Sequence, residues 1–223
     1  MTTPLAFGLS LFFRNKLFLP LFCSIPACIG YLSGIRTSLL HAFGVLLLWT
    51  FVQSSLVIVT SKKKPDLMKQ IIMNAEKYSD SMFQWIETGM LPEGNSSKVI
   101  QAHLKQTILY CALAVLSANC AAIFLGCVLL NYMNYYVAQL ANRSRNSLNA
   151  IFLGWNFWSV IRVLSFLWLG AMLGLPFASH FFNTKQQFEF LWLLPGIMGI
   201  ILDLGLKLLF SKWWRRKLSL LLF

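Results

Sequence analysis

The chain has 223 residues, 57% of them hydrophobic and only 12% charged, and it carries a net charge of +12 from 19 Lys and Arg against 7 Asp and Glu. A soluble domain carries roughly 25% charged residues; here the apolar residues fall in long unbroken runs, as expected where helices must satisfy their own backbone in lipid. The basic residues stand at the ends of those runs, where anionic headgroups and membrane orientation account for them. No polar stretch is long enough to form a basic nucleic-acid-binding domain, so no nucleic acid is expected as a partner.

In chain order, Leu5–Phe13 is apolar but too short to span a bilayer, and Arg14 and Lys16 follow it. The first span is expected over Leu17–Ile35, interrupted by Pro20 and Pro26 and therefore kinked or broken, with Gly30 and Gly34 spaced for close helix approach. Arg14 and Lys16 ahead of an apolar run resemble a signal segment, but the run continues past Cys28, so an uncleaved helix is expected. The second span, Leu39–Thr60, follows after only Arg36, Thr37 and Ser38, which makes a tight hairpin. Lys62, Lys63 and Lys64 then mark a cytoplasmic end.

Residues 61–106 form the one sizeable polar segment. Leu67, Met68, Ile71, Ile72, Met82, Phe83 and Ile86 recur at three- and four-residue steps, giving an amphipathic helix that begins at Pro65 and ends near Gly89 and Pro92. This helix is expected to lie on the membrane, fold back on its own bundle, or offer a partner-binding face, with Trp85 as an interfacial anchor. Glu93-Gly94-Asn95 is expected to turn the chain.

Three further spans are expected, over Thr107–Asn131, Ile151–Leu175 and Phe188–Phe210, with Pro176 ending the fourth and Pro195 bending the fifth. Ala114, Ala118, Ala122 and Gly126 make a stripe of small residues at four-residue intervals, and Gly170 and Gly174 a shorter one. Small residues let helix backbones approach closely in lipid, within the bundle or against a partner. The tail Leu218–Phe223 is too short to span and is expected at the interface. About five spans place the two ends on opposite sides of the membrane, yet both ends are basic; the proline-interrupted first span is the suspected re-entrant segment.

Three ionisable residues fall at membrane depth: Arg162 in the fourth span, and Asp203 with Lys207 in the fifth. Charge at that depth is costly unless paired, so these are the candidate site. Asp203 and Lys207 stand one turn apart and are expected to pair, with Arg162 joining from the next helix and Asn156, Ser159 and Ser165 extending the polar patch. His41, His103 and His180 are far apart in sequence, and the five cysteines sit in apolar runs without a C-x-x-C, so neither a metal site nor a disulfide framework is expected.

The fold expected is an all-α polytopic integral membrane helix bundle, with about five transmembrane helices and one amphipathic interfacial helix. Its three regions are an N-terminal hairpin over 1–60 with a proline-broken first helix, the polar segment over 61–106, and a three-helix region with a basic tail over 107–223. No nucleophile set, P-loop, dinucleotide loop or metalloprotease motif is present, so no enzyme and no cofactor are expected. The expected role is a non-enzymatic subunit or scaffold of a larger membrane complex, of secretion, conjugation, respiratory or envelope-assembly type, in a bacterial inner membrane. Its expected partners are the lipid bilayer and other subunits, or a second copy of the chain. A small transporter or channel built on Arg162, Asp203 and Lys207 is the second expectation, and a lipid-modifying enzyme the third.

Overall fold

A computed structural model describes residues 2–90, 96–182 and 188–222. Among the described residues the secondary structure is entirely helical: α1 (Thr3–Phe13), α2 (Phe18–Ile35), α3 (Leu39–Lys63), α4 (Pro65–Ile71), α5 (Ala75–Thr88), α6 (Ser96–Leu116), α7 (Cys120–Arg143), α8 (Ser147–Gly154), α9 (Phe157–Leu173), α10 (Leu175–Phe182) and, after a 3-10 turn over Phe190–Leu193, α11 (Leu194–Leu222). Six helical stretches are long and apolar enough to cross a membrane: Phe18–Ile35, Leu39–Lys63, Ser96–Leu116, Cys120–Arg143, Phe157–Phe181 and Phe190–Leu222.

The sixth comes from a correction to the expected third span. The run Thr107–Asn131 does not form one helix; it turns back at Ser117–Asn119, where Ala118 (φ 48°) and Asn119 (φ 68°) adopt left-handed backbone. Asn tolerates that conformation because its short polar side chain bonds locally, whereas alanine does not favour it. The Asn119 amide donates to the Ala114 carbonyl (2.9 Å), and Ser117 Oγ accepts from the Ala121 amide (2.9 Å), which satisfies backbone groups left over at the two helix ends. The alanine stripe is therefore folded about its own midpoint. Ala114 and Ala122 are both fully buried, and a Cβ on Gly126 would meet the Tyr110 ring at 3.9 Å. The stripe lines the inside of the α6–α7 hairpin and is used up within the chain.

The first span is also corrected, since α2 runs unbroken through Pro26. Proline removes one backbone donor there, and the Trp49 indole supplies another nearby by donating to the Cys23 carbonyl (2.9 Å). The short loop produces the tight hairpin expected: a Cβ on Gly34 would stand 2.9 Å from Ala42 Cα, and Ser38 caps α3 by accepting from the His41 amide (3.0 Å). Leu5–Phe13 belongs to a separate short helix, α1, whose Phe7 joins the core of α2, α3 and α7 while Leu5 and Phe12 face outward.

The amphipathic segment is two helices. Ile72 is extended and Asn74 is left-handed (φ 58°), which bends the chain between α4 and α5. Lys69 and Glu76 form an ion pair across this bend, and the hydrogen bond to Glu76 holds the Lys69 ammonium above its usual range. Met68, Ile71, Ile72, Met82, Phe83, Trp85 and Ile86 are all buried, with Leu67 half-buried. The α4 part of this face packs on α3 and α7 and the α5 part on α7 and α11, so the segment folds back on its own bundle and is not open to a partner or to the membrane surface. The Phe83 ring lies beneath the Arg143 guanidinium, 3.9 Å from its centroid. The turn expected at Glu93-Gly94-Asn95, like Pro92, lies outside the described residues.

The fourth expected span is divided. Its first residues belong to α8, Trp155 and Asn156 interrupt the helix, and the chain continues through Pro176 into α10. The C-terminal tail is not peripheral: α11 extends to Leu222, Leu218 is fully buried, and the Trp214 indole donates to the Leu153 carbonyl (2.9 Å).

These contacts bring the basic residues to one end. Arg14 shares a surface recess with Lys63 and Lys64, the Asn142 amide donates to the Lys62 carbonyl (3.4 Å) just before Arg143, and Gly89 abuts Arg215. Arg36 and the Ser117–Asn119 turn stand at the other end.

Candidate functional site

The site is assembled where α6, α9 and α11 meet. Gly196 and Gly199, at i and i+3 on α11, present no side chain to α9: a Cβ at Gly196 would stand 2.5 Å from Leu169 Cγ, and one at Gly199 would collide with Ser165 Oγ. Asp203 follows four residues after Gly199 on the same face. This close approach lets the carboxylate reach across to α9. Arg162 Nε donates to Asp203 Oδ2 (2.8 Å) and Nη2 donates to Oδ1 (3.2 Å), a bidentate pair around a fully buried carboxylate.

His103 of α6 completes the cluster. Its Nε2 lies 3.4 Å from Asp203 Oδ2, with no well-aligned hydrogen bond, and the ring is 8% exposed. In sequence, His103 has no helix-spaced His or carboxylate partner; its carboxylate stands 100 residues further on and is reached only through the fold. The expected cluster thus comes together with a changed arrangement. Arg162 takes both oxygens of Asp203 from the neighbouring helix, and Lys207, one turn along α11, lines a cavity beside them.

That cavity has a volume of about 460 Å³ and lies between α3, α5, α6, α7, α9 and α11. Arg162 and Lys207 give it a cationic wall, with Asn156 and Ser159 alongside as the sequence indicated; Ser165 instead donates to the Ile161 carbonyl (2.7 Å) beside Gly199. Thr50, Gln106 and Ser211 add polar groups that no local pattern in the sequence singles out. Thr50 Oγ1 and Asn156 Oδ1 are buried and have no hydrogen-bond partner among the described residues. Leu129, Met133, Val163 and Phe166 form an apolar wall, and α5 contributes Lys77, Tyr78 and Trp85.

Gly170 and Gly174 have a separate task. A Cβ at Gly174 would stand 2.8 Å from the Asn119 backbone nitrogen and 2.9 Å from the Ala118 carbonyl carbon, so α9 fits against the α6–α7 turn only without one. Elsewhere in the bundle Gln53 donates to Asn131 (2.9 Å), Trp155 to Asn134 (2.9 Å), and Tyr31 to the Ala171 carbonyl (3.0 Å), while Ser54 Oγ, Ser61 Oγ and the Tyr136 hydroxyl are also buried without a partner among the described residues.

No family model, curated protein or solved structure matches the chain. The functional reading therefore rests on the chemistry of the cavity.

Proposed function

We propose that this protein is a small multi-pass transporter-type membrane protein that takes an anionic ligand into its bundle beside Arg162 and Lys207. One observation carries the reading: a cavity of about 460 Å³, of ligand-binding size, holds a cationic wall at membrane depth. Asp203 acts as the orienting group. It fixes the guanidinium through two N–H groups and leaves the remaining donors of Arg162 for a ligand. Among the described residues no His, Cys, Asp or Glu lines this cavity to activate its hydroxyls, so binding and release fit the site better than bond chemistry.

Proteoliposomes challenged with a panel of inorganic and organic anions, read by ion flux or solid-supported membrane currents, test this role. The expected result is flux that falls at least about tenfold in Asp203→Asn, since a loosened arginine loses charge-assisted bonds worth about 1.5–3 kcal/mol. Silence with every anion, together with isolation only in a stoichiometric complex, would favour a subunit role. That second reading is supported by the outer face of α6, where Ile100, Leu104, Ile108 and Val115 are exposed and need lipid or a partner helix to cover them. The small-residue stripe and the amphipathic face, each of which the sequence leaves open to the bundle or to a partner, pack inside the chain.

The same proposal sets the orientation. Six crossings return the C-terminus to the side of the N-terminus, and the end carrying Lys62–Lys64, Arg143 and Arg215–Lys217 faces the cytoplasm of a bacterial inner membrane. A green fluorescent protein fused after Phe223 is then expected to fluoresce, and alkaline phosphatase fused at the same point to be inactive. The reverse pattern would invert the orientation.

A further inference from the structure

We propose that the ligand is an anionic lipid: its phosphate head is held by Arg162 and Lys207, and its acyl chain lies along Leu129, Met133, Val163 and Phe166. This inference rests on the anion-binding reading above and names the ligand class. The cavity's lining combines cations, Arg162, Lys207 and Lys77, with the apolar side chains Leu129, Met133, Val163 and Phe166, and an amphiphile requires both kinds of partner. A free phosphate fills only a small part of 460 Å³, since a water's share of liquid volume is about 30 Å³, and it would leave the apolar wall wet.

The head has its partners on the page. Arg162 spends Nε and one Nη2 hydrogen on Asp203, and a guanidinium has five N–H donors, so three remain. Lys207 adds a second cation on the same cavity, and Lys77 of α5 contributes a third. The two buried polar atoms without partners fit a phosphate ester as well. The Thr50 hydroxyl can donate to a phosphate oxygen, and Asn156 Oδ1 can accept from a headgroup hydroxyl. Entry is placed between α5 and α6: among the described residues α5 packs on α7 and α11, α6 packs mainly on α7 and α9, and both line the cavity with little packing on one another.

The test uses the full chain, purified in a non-ionic detergent and examined by native mass spectrometry with added phosphatidic acid or phosphatidylcholine of the same acyl chains. One phosphatidic acid is expected to be retained in preference to phosphatidylcholine. Lys207→Gln is expected to weaken that retention about tenfold, the loss of one charge-assisted contact. Arg162→Gln/Asp203→Asn, which removes both charges of the buried pair together, is expected to weaken it at least as much, and Arg216→Gln at the basic end to leave it unchanged. Thermal unfolding of each variant shows that it is folded. Equal retention of the two lipids overturns the inference, as does retention lost in Arg216→Gln and kept in Lys207→Gln, which would mark surface adsorption. Stabilisation by inorganic phosphate or glycerol phosphate without any phosphatidic acid preference overturns the lipid and leaves the anion reading standing. No response to any of these anions overturns both.

Discussion

Replacing Arg162 with leucine is expected to destabilise the protein by about 3–5 kcal/mol, because it strands a buried charge. Asp203 is fully buried, and both its oxygens are taken by Arg162. Without the guanidinium, Asp203 keeps His103 beside it, 3.4 Å away and poorly aligned. The attraction within a buried pair is largely offset by the cost of desolvating both ions, so the pair itself adds little to stability. The expected signature follows from that asymmetry. Arg162→Leu unfolds well below the wild type in detergent, whereas Arg162→Leu/Asp203→Leu recovers most of the loss. Tryptophan fluorescence during heating reads both. A double variant as unstable as the single one would show that the two residues are not coupled and would remove the orienting role given to Asp203. Arg162→Lys is expected to fall between the two, since an ammonium keeps the charge and loses the two-point geometry.

A pair worth little to folding and kept at membrane depth points toward use. The sequence marks the three charged residues because lipid makes them conspicuous, and it places Asp203 and Lys207 on one face because helical periodicity is local. It does not reveal that Arg162 wins the carboxylate. That outcome depends on how closely α9 and α11 approach, which Gly196 and Gly199 decide. His103 is illegible for the same reason: its significance lies in a helix distant along the chain. Thr50 and Gln106 are ordinary polar residues until the fold aims them at a shared cavity.

The sixth membrane-length helix is illegible in the sequence for a different reason. Apolar runs announce spans, and breaks are announced by Gly, Pro or charge; Ser117-Ala118-Asn119 carries none of these. One signal was present. The stretch from Ser96 to Arg143 is helical in character for about twice the length a bilayer needs, so a turn had to fall within it. The turn at Ser117–Asn119 also accounts for the two basic ends, because six membrane-length helices return the chain to the end of the bundle where it began. The amphipathic helix was recognised by its period, but period alone cannot distinguish a face turned to lipid from one turned to α7.

The turn at Ser117–Asn119 has a weak point at Gly174, the residue between α9 and α10. Gly174→Ala is expected to cost about 1–3 kcal/mol, the range for forcing an extra carbon into a packed contact. The added Cβ would stand 2.8 Å from the Asn119 nitrogen and 2.9 Å from the Ala118 carbonyl carbon. Both are backbone atoms, so no side chain can rotate away, and Ala118 and Asn119 are already in the left-handed region with little freedom to shift. Helix propensity acts in the opposite direction, because alanine is favoured over glycine by roughly 0.5–1 kcal/mol inside a helix. Gly44→Ala isolates that term. Gly44 lies in α3 with no atom within 4 Å of an added Cβ, so its replacement is expected to leave stability unchanged or raise it slightly. Thermal unfolding of the two variants side by side separates packing from propensity. If Gly174→Ala unfolds no earlier than Gly44→Ala, the α9 helix does not rest against the turn, and the α6–α7 hairpin is held by its own alanine seam alone.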